Sequence, residues 1–100
     1  MKTSFKEENN QLVMAFIGRL DTAAAVQTEK EMQVLYDCDG RDIVLDCKEL
    51  DYISSSGLRL FLGLLKVAKP KGSRVCISGL SNDLRQVFNM TGFTNLFEIL

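Results

Sequence analysis

Two short apolar runs, "RDIVLDC" at 41–47 and "SRVCISG" at 73–79, constrain this chain more than any other feature. Each is too short for a helix, is bounded by charged or turn-forming residues, and is of the kind buried on both faces of a sheet. Each is followed by a segment with helical periodicity. A helix between successive strands requires parallel pairing through right-handed crossovers, so the runs predict a parallel sheet.

The remaining elements extend that pattern. "TSFKEEN" and the aliphatic "QLVMAFIGRL" at 11–20 read as two strands separated by Asn9 and Asn10, a pair suited to a tight turn and hence to an antiparallel hairpin. Asp21 and Thr22 offer caps for a helix to about Tyr36, with Ala25, Thr28, Met32 and Tyr36 inward and "CDG" at 38–40 closing it. A second helix is expected from Ser56 to Lys69, stopped by Pro70 and Gly72. A third opens at Ser81, sets Leu84, Val87 and Phe88 on one face and ends at Gly92, after which "LFEIL" forms an edge strand. The expected fold is one α/β domain over residues 1–100: a mixed, mostly parallel sheet of about five strands with helices against it and an antiparallel hairpin at its start.

The segment between the first run and its helix, "DYISSSGLRLF" at 51–61, holds three consecutive serines and a glycine. One serine suffices to cap a helix. In an open α/β sheet, functional groups collect where strands hand the chain to helix N-termini, because orphan amides and the helix dipole converge there. Gly57, lacking a Cβ, leaves room there for another molecule. The following helix carries two apolar stripes: Leu58, Phe61, Leu62, Leu65 and Ala68 on one, and Leu60, Leu64 and Val67 on the other. A helix lying on a sheet need bury only one, so the second is expected either to sit deeper or to meet a partner.

Composition removes several classes of function. Twelve basic residues against thirteen acidic leave no excess charge to draw the chain to nucleic acid or to an acidic membrane. No apolar stretch reaches the ~18 residues of a membrane span, and the N-terminus lacks a signal-peptide pattern, so a cytoplasmic protein is expected. There is no histidine, which removes the commonest general base and transition-metal ligand. GxSxG, GxGxxG and the P-loop pattern are absent too, so neither an enzyme nor a resident cofactor or metal is expected. Cys38, Cys47 and Cys76 are odd in number and lack CxxC spacing, which suits reduced thiols used as small core hydrophobes.

Three stretches, in order and nearly spanning the chain, carry a family resemblance: "FIGRLDTAAA" at 16–25, "DIVLDCKELDYISSSGL" at 42–58 and "LRQVFNMTGF" at 84–93. Together they resemble STAS domains, and within them the bacterial anti-sigma-factor antagonists. That resemblance implies a partner-switching protein. It binds an anti-sigma factor that is also a serine kinase, is released when that kinase phosphorylates it with its own ATP and magnesium, and is restored by a protein phosphatase. Carried over residue by residue, it places the phosphoacceptor on Ser55, with Ser56 as the cap or a secondary acceptor. Asp21, Ser54, Ser56, Gly57, Leu58, Leu60 and Leu64 fall at or near the docking face. Ser54 stands where the family has an aspartate, and Arg59 where a small residue is frequent. Two other readings stay open: a constitutive interaction module of a signalling or transport assembly, in which the serines only cap a helix, and a small-ligand or nucleotide-binding domain.

Overall fold

A computed structural model describes residues 1–100. Strands β1 (Lys2–Glu8) and β2 (Gln11–Leu20) form the expected hairpin, antiparallel from Lys2 opposite Ile17 to Glu8 opposite Gln11. Asn9 and Asn10 close it with φ of 51° and 62°, the left-handed pair that a two-residue hairpin turn needs and that asparagine tolerates. Helix α1 (Thr22–Met32) runs on into a 3-10 turn, Gln33–Tyr36. Ala25, Thr28 and Met32 are its buried residues, and Tyr36 is half-buried.

Strand β3 (Asp42–Ile53) outlasts its apolar run: "KELDY" continues the ladder to β2 across two register shifts, with Glu49, Leu50, Tyr52 and Ile53 paired to Ile17, Gly18, Arg19 and Leu20. Helix α2 (Ser55–Ala68) begins one residue before its expected start. Pro70 sits inside a 3-10 turn at Lys69–Lys71, and the left-handed Gly72 ends it. Strand β4 (Val75–Ser78), helix α3 (Asn82–Met90) and the short strand β5 (Glu98–Ile99) complete the chain.

The sheet order is β1-β2-β3-β4-β5, with every pair after the hairpin parallel. Because the order advances in one direction, right-handed crossovers carry all three helices to one face. The strands show it: Leu12, Met14 and Phe16 of β2 and Ile43, Leu45 and Cys47 of β3 are almost wholly buried, whereas Val13, Ala15, Ile17, Val44 and Asp46 on the other face are half-buried. Strand β3 is therefore covered on one face, not on both as its apolar run suggests, whereas β4 is buried at Val75, Cys76 and Ile77 in succession and so on both faces. The core lies between this sheet and the helices, and Phe16, Phe61 and Phe88 form its middle, with ring centroids 5.2 and 6.3 Å apart.

All three cysteines are buried and unpaired. Burial pushes the Cys47 thiol up to about 12 and the Cys76 thiol to about 11, the latter with help from a hydrogen bond to Glu98. Neither forms a thiolate near neutral pH.

Candidate functional site at the serine turn

Strands β2 and β3 end side by side, with Leu20 opposite Ile53, and each passes directly into a helix. Two helix N-termini therefore open at the same edge of the sheet. Asp21 caps α1, its Oδ1 accepting from the Ala24 amide at 2.8 Å. Ser54 caps α2: its backbone is extended, its N–H donates to the Leu20 carbonyl at 2.9 Å, and its Oγ accepts from the Gly57 amide at 3.2 Å. The turn is thus tied to both strands before the helix begins.

The three serines have different surroundings. Ser54 is buried and its oxygen is occupied by the cap. The cap is Ser54 and not Ser56, because only the residue before the first helical turn holds its side chain over the free amides. Ser55, the first residue of α2, is exposed. Ser56 is half-buried and faces a cleft of about 310 Å³ between α1 and α2. Thr22, Ala25 and Val26 form the α1 side of that cleft, and Leu60 and Arg59 the α2 side. Val26 is 66% exposed, an apolar side chain presented to solvent at the mouth of the turn.

Several expected docking residues lie elsewhere. Leu64 is 0% exposed and belongs to the core. The buried stripe of α2 is Gly57, Phe61, Leu64 and Ala68, flanked by Leu58 and Leu65. Its centre is displaced by one position from the stripe drawn through Leu62, which is only half-buried. Leu58 is also in the core. Gly57 leaves no room for a visitor. A Cβ on it would stand 2.8 Å from both Ile53 Cγ1 and Leu20 Cγ, so its missing side chain lets α2 settle on the ends of β2 and β3. Of the apolar residues expected at the docking face, only Leu60 borders the cleft.

The residues not anticipated in this role are Val26 and Glu29 of α1 and Arg59 of α2, which share the cleft with Ser56. Arg59 is exposed and has no carboxylate within ion-pair distance. Its signal in the sequence is its position, four residues after Ser55 and hence on the same helical face. On the opposite face of the sheet the Arg19 guanidinium lies 4.4 Å from the Tyr52 ring centroid and is already engaged. No three metal-ligating side chains converge, and no helix is long and apolar enough to cross a membrane.

A five-stranded, one-sided mixed sheet with its serine turn at the junction of two helix N-termini is the architecture of a STAS domain. The STAS family matches residues 2–100, and the chain belongs to it. It is 32% identical over 99 residues to BtrV of Bordetella bronchiseptica, named as a candidate anti-sigma factor antagonist, covering 99% of this chain and 85% of that one. It is 28% identical over 95 residues to the anti-sigma-B factor antagonist of Listeria monocytogenes, covering 94% and 83%. Among solved structures, a STAS domain protein of Planctomyces limnophilus superposes with a TM-score of 0.90 at 16% identity, covering 98% of this chain and 87% of that one. The phosphorylated form of SpoIIAA from Bacillus superposes with a TM-score of 0.73 at 20% identity, covering 99% and 91%. The two sequence relatives thus carry the name anti-sigma factor antagonist, BtrV as a candidate, and the structural neighbours share the fold.

Proposed function

We propose that this protein is an anti-sigma factor antagonist that docks through the serine turn and the α1–α2 cleft onto an anti-sigma factor with serine kinase activity. Phosphorylation of Ser55 ends the docking, and a protein phosphatase restores it. The observation that carries the reading is the division of labour among the serines: Ser54 is buried and committed to the cap, which leaves Ser55 exposed at the first position of α2 with its hydroxyl unengaged. The relatives' names support the partner class, and the solution of SpoIIAA in both unphosphorylated and phosphorylated forms supports the chemistry in a neighbour of the same fold.

In the transfer, the Ser55 Oγ forms a bond to the γ-phosphorus of kinase-bound ATP, the bond from that phosphorus to ADP breaks, and the hydroxyl proton leaves to the kinase. The product carries about 1.5 to 2 negative charges at a helix N-terminus, where they interact favourably with the dipole by about 0.3 to 1 kcal/mol. Helix α2 therefore survives modification and the interface takes the penalty. A penalty of about 3 kcal/mol weakens docking by roughly 150-fold.

Incubation with the partner kinase, ATP and magnesium followed by peptide mass mapping tests the assignment. Phosphate on Ser55 is the expected result, and phosphate only outside Ser54–Ser56 overturns it. The constitutive-module reading keeps one point in its favour, that Ser54 serves the fold as a cap. It requires that Ser55→Asp dock as well as the wild type.

A further inference from the structure

Arg59 has no structural role that the fold explains: it is exposed, unpaired, and forms part of the wall of the cleft beside Ser56. It sits four residues after Ser55 on α2, where side-chain origins are about 5 to 6 Å apart. Helical side chains tilt toward the N-terminus, so a long side chain at 59 covers the turn that begins at 55. Leu58, the other residue one turn on, points into the core. The other charged residue that lines the cleft is acidic, Glu29 of α1. Arg59 is the cation that lines the cleft.

We propose that Arg59 is the intramolecular receptor of a phosphate on Ser55, and that this capture is part of the switch. The proposal rests on Ser55 being the phosphoacceptor. A guanidinium presents paired N–H donors that match two phosphate oxygens, and here it approaches from the same helix with no backbone movement required. In the unmodified protein the same guanidinium stands in the cleft wall, available to a carboxylate of the docking protein. When the phosphate takes it, that donor is withdrawn from the cleft. Phosphorylation then acts twice, by adding negative charge at Ser55 and by removing positive charge from the docking surface.

The test encodes phosphoserine at position 55 and follows it by phosphorus NMR during pH titration, in the parent and in Arg59→Gln and Arg59→Lys. The second phosphate ionisation, ordinarily near pH 6, rises by roughly half a pH unit in Arg59→Gln, with the lysine variant at or between the two values. Raising salt to about 1 M removes most of the difference. An ionisation that agrees within about 0.1 pH unit in the parent and the glutamine variant overturns the capture, because a residue with a merely structural role leaves the phosphate unaffected. Calorimetry of the unmodified proteins with the anti-sigma kinase of the same organism tests the other half. Arg59→Gln weakens docking several-fold, and unchanged affinity overturns the claim that Arg59 serves the cleft.

Failure of this inference is separable from failure of the proposed function. A phosphoserine protein with its ionisation held down by Arg59 that still docks like the unmodified one contradicts the switch. An unmoved ionisation with docking still lost contradicts only the capture.

Discussion

Leu64 and Leu60 are the same residue type one helical turn apart, and the structure gives them opposite roles. Leu64 is 0% exposed within the core, whereas Leu60 is half-buried on the cleft wall. Leu64→Ala removes fully buried methyl groups and leaves a cavity, at a cost of about 2.7 to 5 kcal/mol. Against a total of about 5 to 15 kcal/mol for a domain, that is about a fifth or more of the stability. At 4 to 8 °C per kcal/mol for a domain of this size, Tm falls by roughly 10 to 40 °C. Leu60→Ala gives up only part of that burial and costs about 1 kcal/mol. Urea unfolding followed by circular dichroism measures both, with m unchanged if the effect lies in the native core. Leu64→Asp goes further, placing an unpartnered carboxylate in the same position, and leaves the chain unfolded. If Leu64→Ala stays within about 1 kcal/mol of wild type, or matches Leu60→Ala, the assignment of the buried stripe is wrong.

Three further outcomes follow from the same geometry. Ser54→Ala deletes the α2 cap and costs about 1 kcal/mol, seen as a Tm drop of about 4 to 8 °C together with faster hydrogen exchange at the Gly57 amide. Gly57→Ala forces a methyl against Leu20 and Ile53; about 1 to 3 kcal/mol of overpacking outweighs the gain of up to about 1 kcal/mol in helix propensity, and chemical denaturation shows a net loss. The thiols of Cys47 and Cys76, held up at about 12 and about 11, remain unreactive toward a chromogenic disulfide reagent at pH 8 in the native protein and react only on unfolding.

The parts of the fold that were legible in the sequence are those set by local chemistry. The Asn9–Asn10 turn, the caps at Asp21 and Ser81 and the stop at Gly92 each rest on one or two residues whose backbone preference leaves little choice. The alternation of strand and helix sufficed to make the pairings after the hairpin parallel. Where tertiary contacts decide, the sequence was ambiguous. "KELDY" looks like a polar loop because its inward residues are few, yet β2 supplies the hydrogen bonds that keep it a strand to Ile53. Three serines in a row are each able to cap a helix, and only the pairing of Leu20 with Ile53 fixes Ser54 as the one that does. Helix α2 is apolar at 58, 60, 61, 62, 64, 65, 67 and 68, so periodicity defines the stripe only to within one position, and the close approach at Gly57 sets its centre. The cleft was invisible for a related reason: it needs Val26 and Glu29 from α1 beside Arg59 and Leu60 from α2, a juxtaposition made by packing rather than by spacing.

The most direct test of the serine turn as a switch is a calorimetric comparison of wild type, Ser55→Ala and Ser55→Asp binding to the anti-sigma kinase, with ADP present so that no phosphate is transferred. Ser55 is exposed and takes no part in the cap, so both variants keep the wild-type fold. Wild type and Ser55→Ala are expected to bind alike, with Ser55→Asp weakened by ten-fold or more, a loss of at least about 1.4 kcal/mol. Equal affinity for all three would show that charge at Ser55 does not govern docking, and would contradict the account.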